Sequence, residues 1–215
     1  TMVLDATAIR NLELVRNMKD GTKKGTLLDI LDYTATAMGA RLMRQWIESP
    51  LYDAARITSR QQAVGTLVGD SRLRTELGEA LKKITDLERI LSRIEVGSAN
   101  ARDMASLRTA LLAVPDLKRL LAPYRDGLLA KLSSRIDSHE TVLDELRRGI
   151  VDDPPFTVRE GGMIRKGYNA ELDELHDIAE NNNAWMQDFE LRIKEETGIK
   201  NLKVGFNKVF GYYIE

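Results

Sequence analysis

Residues 20–30, DGTKKGTLLDI, place two glycines, two lysines and a threonine immediately before an apolar run. Such a stretch invites a phosphate-binding reading. A loop of the form G-x-x-x-x-G-K-[ST] wraps backbone N–H groups around the anion and sends a lysine to its outer oxygens. Here only three residues separate Gly21 from Gly25, Lys23 and Lys24 lie between the glycines, and Thr26 stands in the lysine slot. The stretch therefore reads as a solvated turn. Metal chemistry has little to draw on. There is no cysteine, and the two histidines, His139 and His176, lie far apart with no carboxylate or histidine at ligand spacing. No nucleophile–base set stands out, so the chain carries no catalytic, cofactor or metal candidates of its own. Near the C-terminus Lys200, Lys203 and Lys208 accompany Tyr212 and Tyr213. Lysines so placed can touch DNA backbone phosphates without reading sequence. A solvated strand face with aromatic packing is the stronger reading of the same residues.

The elements that would position these groups are mostly helical. The chain has 215 residues, 43% hydrophobic and 30% charged, with a formal net charge of -1. This is the composition of a globular protein of one or two domains, without a basic field that would advertise a nucleic-acid or membrane surface. No apolar run approaches ~18 residues, and the opening TMVLD has no signal-peptide pattern. Thr36 is placed to cap a helix to about Glu48 that turns Met38, Leu42, Met43, Trp46 and Ile47 inward. Thr58–Gln61 and Thr85–Glu88 read as capping boxes. The helices they introduce carry Ala63, Val64 and Leu67, then Leu87, Ile90, Leu91 and Ile94. Between them Leu73, Leu77, Ala80 and Leu81 mark a helix near 71–83. Asn100 caps another, with Asp103 in its first turn, and further stripes are Leu128, Leu129, Leu132, Ile136 and Val142, Leu143, Leu146, Ile150. Core packing is the reading of all of them. At Asp152-Asp-Pro-Pro155 the pattern breaks, and a short strand pair at 156–158 and 163–165 is expected around Gly161-Gly162.

From about Asn169 to Thr197 there is no proline or glycine, and Gly198 is placed to end the run. A helix of that length is a rod of about 43 Å. Leu172, Leu175, Ala179, Asn182, Met186, Phe189 and Ile193 form a seam at alternating three- and four-residue spacing, interrupted by the asparagine. After Gly198 the period becomes two: Leu202, Val204 and Phe206, then Phe210, Tyr212 and Ile214. That predicts a hairpin turning near Asn207-Lys208. Its second strand runs to the last residue, so the sheet is expected to continue in a longer parent chain.

Several stretches resemble a known family. LDATAIRNLEL (4–14), GTLLDILDYTATAMGARLMRQWIESPL (25–51) and DLERILSRI (86–94) are similar to the core, or lever, domain of the bacterial MutS mismatch-repair family. GYNAELDEL (167–175) and LKVGFNKVFGYYIE (202–215) resemble that family's lever helix and the start of its clamp domain. The resemblance implies a mostly α fold, a helical bundle with one long lever helix and a short C-terminal β segment. It divides the chain into a helical core/lever part (1–166), the lever helix (167–199) and a truncated start of the clamp (200–215). It also makes GTLLDILD structural, because the family's ATP-binding loop lies in a separate C-terminal domain. Its Phe-x-Glu mismatch reader lies in an N-terminal one, and Phe189-Glu190-Leu191 does not match that motif.

What the resemblance implies for function is mechanical and non-catalytic: a connector between a DNA-gripping clamp and an ATPase. The parent would use ATP and Mg, act as a homodimer on mismatched double-stranded DNA, and engage a downstream factor of the MutL type in the bacterial cytoplasm. Two alternatives remain: a freestanding helical scaffold that binds a protein partner, and the equivalent domain of a MutS-like recombination protein.

Overall fold

The computed structural model describes residues 1–199, 201–207 and 211–215, apart from the side chains at 180, 182–184 and 207. The chain forms two compact units, Thr1–Ile164 and Arg165–Glu215.

The first unit opens with α1 (Ala6–Asn11) and α2 (Leu27–Leu31). The intervening chain is folded back by side chains that satisfy its own backbone. Asn17 Oδ1 accepts from the N–H groups of Lys19 and Asp20 at 3.1 and 2.9 Å, and its Nδ2 donates to the Lys24 carbonyl at 3.0 Å. Thr26, 1% exposed, caps α2: its hydroxyl donates to the Lys23 carbonyl at 2.7 Å and accepts the Asp29 N–H at 3.2 Å. Asp29 in turn accepts the Gly25 N–H at 2.9 Å, and Lys23 pairs with Asp32 at 2.6 Å. The backbone N–H groups of Gly21, Thr22, Gly25 and Thr26 are thus taken by the protein's own oxygens. Leu14, Val15 and Leu28 form a small core beneath it, with Leu4, Ile9, Met43 and Ile47 against them.

The helices that follow are α3 (Ala37–Glu48), α4 (Ala54–Gly69), α5 (Ser71–Lys82), α6 (Leu87–Glu95), α7 (Ala101–Leu121), α8 (Gly127–Arg135) and α9 (Glu140–Gly149). Thr36 and Asn100 cap α3 and α7 as expected, and Asp103 completes a capping box on α7. The two other predicted boxes are displaced. Asp53 caps α4 by accepting from Ala55 and Arg56 N–H, so Thr58 falls inside the helix. Asp86 caps α6, and Thr85 instead donates its hydroxyl to the Ser106 carbonyl of α7 at 3.3 Å. In both places an aspartate carboxylate lies upstream of, or next to, the threonine, and a charge-assisted acceptor holds the first N–H groups better than a hydroxyl does.

α7 is the spine of the unit. It packs against α5, α6, α8 and α9, while α4 lies against α5 and α8. Leu73, Ala80 and Leu120 form a core cluster with Leu67, Leu77, Leu117 and Tyr124 around it. The helix continues through Pro115, which lacks the N–H owed to the preceding turn; burial of Ala110, Leu111, Ala113, Leu120 and Leu121 on both sides offsets that loss. Eight residues of the expected stripes (Leu42, Trp46, Val64, Leu81, Leu91, Ile94, Leu132 and Val142) are exposed. Periodicity marks the apolar face of a helix, but the covered width depends on which neighbour arrives.

The strand pair expected at 156–158 and 163–165 is not formed. A single antiparallel bridge joins Ile150 to Ile164, supported by Val151 N–H to Met163 carbonyl at 3.2 Å, and 158–160 is a 3₁₀ turn. Pro154 and Pro155 have no N–H to offer a ladder. Glu160 takes both the Thr157 N–H and hydroxyl, at 2.8 and 2.7 Å, removing that residue from pairing.

Two carboxylates of this unit are held well below the ordinary range. Asp32 is lowered to about 2 by the hydrogen bond from Lys23, with Thr34 adding to it. Asp86 is lowered to about 2 by Arg41 of α3, whose guanidinium donates to its two oxygens at 2.8 and 2.7 Å. Because both are depressed on folding, their contribution is complete above the ordinary value of 3.8 and is lost as pH falls through about 2. Carboxyl NMR titrations of Lys23→Ala and Arg41→Ala should show Asp32 and Asp86, respectively, rising toward 3.8, with acid unfolding beginning at correspondingly higher pH.

Candidate transmission site

The second unit consists of α10 (Ala170–Thr197) and the strands β1 (Val204–Asn207) and β2 (Gly211–Ile214). α10 is held at both ends and along its length. Asn169 accepts the Leu172 N–H at 2.9 Å, and Glu171 and Asp173 lie in the first turn, where the helix dipole favours acids. Asp173 also accepts the Gly167 N–H at 2.8 Å, and Asp177 pairs with Lys166 at 2.8 Å. Asp188–Arg192 and Glu190–Lys194 are pairs at i,i+4 in the favourable acid-first order. Gly198 closes the helix in the left-handed region, φ 71°, and its N–H reaches the Lys194 carbonyl at 3.0 Å. Uninterrupted over 28 residues, α10 is about 42 Å long.

The hairpin is carried at the far end of this helix. β1 and β2 pair antiparallel with Val204 opposite Ile214, Gly205 opposite Tyr213 and Phe206 opposite Tyr212. The ladder extends one step further, with Lys203 and Glu215 exchanging N–H···O bonds of 2.7 and 2.9 Å. Glu190 joins helix to strand: one carboxylate oxygen pairs with Lys194 and the other accepts the Val204 N–H at 3.2 Å. Those two contacts, Lys194 first, hold its carboxyl below the ordinary range. Trp185 stacks on Phe189 at 5.1 Å between ring centroids, and Phe206 meets Tyr212 edge-on at 5.0 Å. Trp185, Met186 and Phe189 of the helix and Val204, Tyr212 and Ile214 of the strands line an apolar cavity of about 460 Å³.

The expected seam is divided by this arrangement. Met186, Phe189 and Ile193 are half-buried, and the first two lie against the hairpin cavity; Leu172 is half-buried, while Leu175 and Ala179 are exposed. The side chain of Asn182 lies outside the description. Lys203 is exposed at the base of β1, and its charge acts on Glu190. Lys200 and Lys208 lie outside the described residues. The sequence reading missed Trp185 as a partner of the seam, although an aromatic pair at i,i+4 with Phe189 was its available signal. Among the described residues there is no group of three His, Asp or Glu able to hold a metal, and no helix is long and apolar enough to cross a membrane.

Taken separately, the two units are a helical bundle built on α7 and a long helix carrying a β-hairpin. Residues 7–201 match the family model MutS domain III, and the chain belongs to that family. It is 47% identical over 214 residues to the DNA mismatch repair protein MutS of Exiguobacterium sp. (strain ATCC BAA-1283 / AT1b), covering 100% of this chain and 25% of that protein. It is 46% identical to the DNA mismatch repair protein MutS of Symbiobacterium thermophilum over 99% of this chain and 24% of that protein. With the protein of the same name from Brevibacillus brevis the figures are 48%, 99% and 25%. The chain thus spans about a quarter of the length of these relatives.

The glycine of the K-V-G-F stretch has a cross-strand cause. A Cβ at Gly205 would lie 2.7 Å from the Tyr213 ring. Gly205→Ala should therefore swing the Tyr213 ring away and cost about 1 kcal/mol, read by thermal denaturation and by faster amide exchange in β2. Combining it with Tyr213→Val should cost less than the two single changes added together.

Proposed function

We propose that the chain is the core/lever part of a DNA mismatch repair protein and that, in the full-length protein, it links a DNA-gripping clamp mechanically to an ATPase domain. The observation that carries this reading is α10: an unbroken helix, capped at both ends, that bears a β-hairpin at its far end. A helix of this kind transmits displacement because bending it breaks hydrogen bonds, whereas rotating it as a body does not. The name of its relatives, DNA mismatch repair protein MutS, supports the process and the ligand. On this reading residues 1–166 are the core/lever body, 167–199 the lever helix and 200–215 the root of the clamp. ATP and Mg belong to the parent's ATPase domain, the parent acts as a homodimer on mismatched DNA, and a MutL-type factor follows it. The exposed seam residues Leu175 and Ala179 are surfaces for other parts of that protein. Lys203, with Lys200 and Lys208, is the candidate for contact with the DNA backbone.

The test uses the full-length protein and measures binding to mismatched DNA and its ATP-driven release. His176→Pro removes the bond to the Leu172 carbonyl on the exposed side of α10 and bends the helix, at about 3 kcal/mol or more. Release should become insensitive to ATP while binding persists; normal ATP-driven release contradicts the lever role. In the same assay run across salt concentrations, Lys203→Ala should reduce the slope of log K against log salt by about 0.9 if that lysine neutralises a phosphate. An unchanged slope assigns it to the solvated face.

A further inference from the structure

The helical unit buries a charge that no expectation from the sequence covers. Arg108, in the middle of α7, is 7% exposed. Its Nη1 donates to the Ile150 carbonyl at 2.6 Å and the Leu146 carbonyl at 3.5 Å. Its Nη2 donates to the carbonyls of Val151 and Asp152 at 3.2 and 3.4 Å, and pairs with the Asp152 carboxylate at 3.2 Å. Leu146 and Ile150 are the last turn and C-cap of α9, whose unpaired carbonyls carry the negative end of the helix dipole. A guanidinium is suited to this place: it is planar, permanently charged and can address several oxygens at once. Six residues earlier on the same helix, Arg102 donates through Nε to the Pro154 carbonyl at 3.1 Å and lies over the Phe156 ring at 5.5 Å. The segment from 150 to 156 is therefore fastened to α7 by two arginines. The Ile150–Ile164 bridge closes the rest of the strap on itself, and the chain then passes from Ile164 into Arg165, the first residue of the unit that contains α10.

We propose that Arg108 is the positioning residue that couples the helical unit to the lever: it clamps the end of α9 and the start of the strap to α7, so that displacement of α7 reaches the chain at Ile164. The physical ground is the cost of a half-made contact. A buried cation that loses its acceptors is strongly disfavoured, so the clasp is either complete or open and does not stretch by degrees. Apolar neighbours such as Ala110 and Leu111 would permit sliding; the guanidinium does not. The inference rests on the reading of α10 as a lever.

The experiment measures three quantities in the full-length protein: affinity for mismatched DNA without nucleotide, ATP turnover without DNA, and the acceleration of DNA release by ATP. Arg108→Met should lower that acceleration about tenfold while the first two stay within about twofold. Arg108→Lys, which keeps the charge but not the fork, should fall between. Arg102→Ala, at an exposed position, should act in the same direction more weakly, and it decides the matter alone if Arg108→Met does not fold. If His176→Pro abolishes the acceleration while the folded Arg108 and Arg102 variants keep it, the inference is overturned and the lever stands. If the arginine variants lose DNA affinity and ATP turnover in proportion, Arg108 is a stability residue only and the inference is overturned. If His176→Pro releases DNA normally, the lever reading falls and this inference falls with it.

Discussion

Burying ionic groups on one helix constrains the helical unit more tightly than its apolar core does. Asp103 and Arg108 both lie on α7 and are both nearly inaccessible to water. Asp103 is satisfied by the Asn100 N–H at 3.0 Å and by Arg93 of α6 at 3.1 Å; Arg108 is satisfied by the end of α9 and the chain beyond it. Each group requires a neighbouring element to arrive within hydrogen-bonding distance at one register. Hydrophobic contact tolerates a shift of part of a turn, because it is proportional to area and has no direction. The charges on α7 do not tolerate it. They select one arrangement of α6, α7 and α9 from the several that the same apolar stripes would allow, which is the best-attested use of buried polar groups.

The second unit reaches rigidity by a different route. α10 buries little of itself, and its exposed length carries Leu175, Ile178, Trp185 and Leu191. Its order comes from caps, from acid-first ion pairs and from the absence of any residue that breaks a helix. At its far end the Glu190 carboxylate accepts the Val204 N–H of the hairpin, and Trp185, Phe189 and Tyr212 line the cavity between helix and strands. On the proposed reading such a helix carries displacement; the chain belongs to the MutS domain III family and spans about a quarter of the length of its relatives.

Much of this was legible in the sequence, and the failures have physical causes. The rod, its caps at Asn169 and Gly198, the hairpin and the bundle helices follow from local rules: periodicity, capping and the lack of breakers. What failed depended on competition or on distance along the chain. Asp53 and Asp86 displaced the threonines expected to start α4 and α6 because two acceptors competed for the same N–H groups. The strand pair near 160 gave way to a capped turn for the same reason. Arg108 went unnoticed because its role is defined by residues remote in sequence, at 146 and 150–152. An arginine in a helix reads as surface until its partners are seen.

The central claim is that α10 moves as one stiff body. The 215 residues contain no cysteine, so spin labels at Glu174→Cys and Glu195→Cys, both exposed, report on α10 without interference from elsewhere in this region. In the full-length protein, with labelled subunits diluted in unlabelled ones, pulsed electron–electron distance measurement should give one narrow distribution near about 30 Å that is unchanged by DNA or nucleotide. A broad distribution, or one that shortens when ATP is added, would mean that the helix bends or melts in use and would contradict the account.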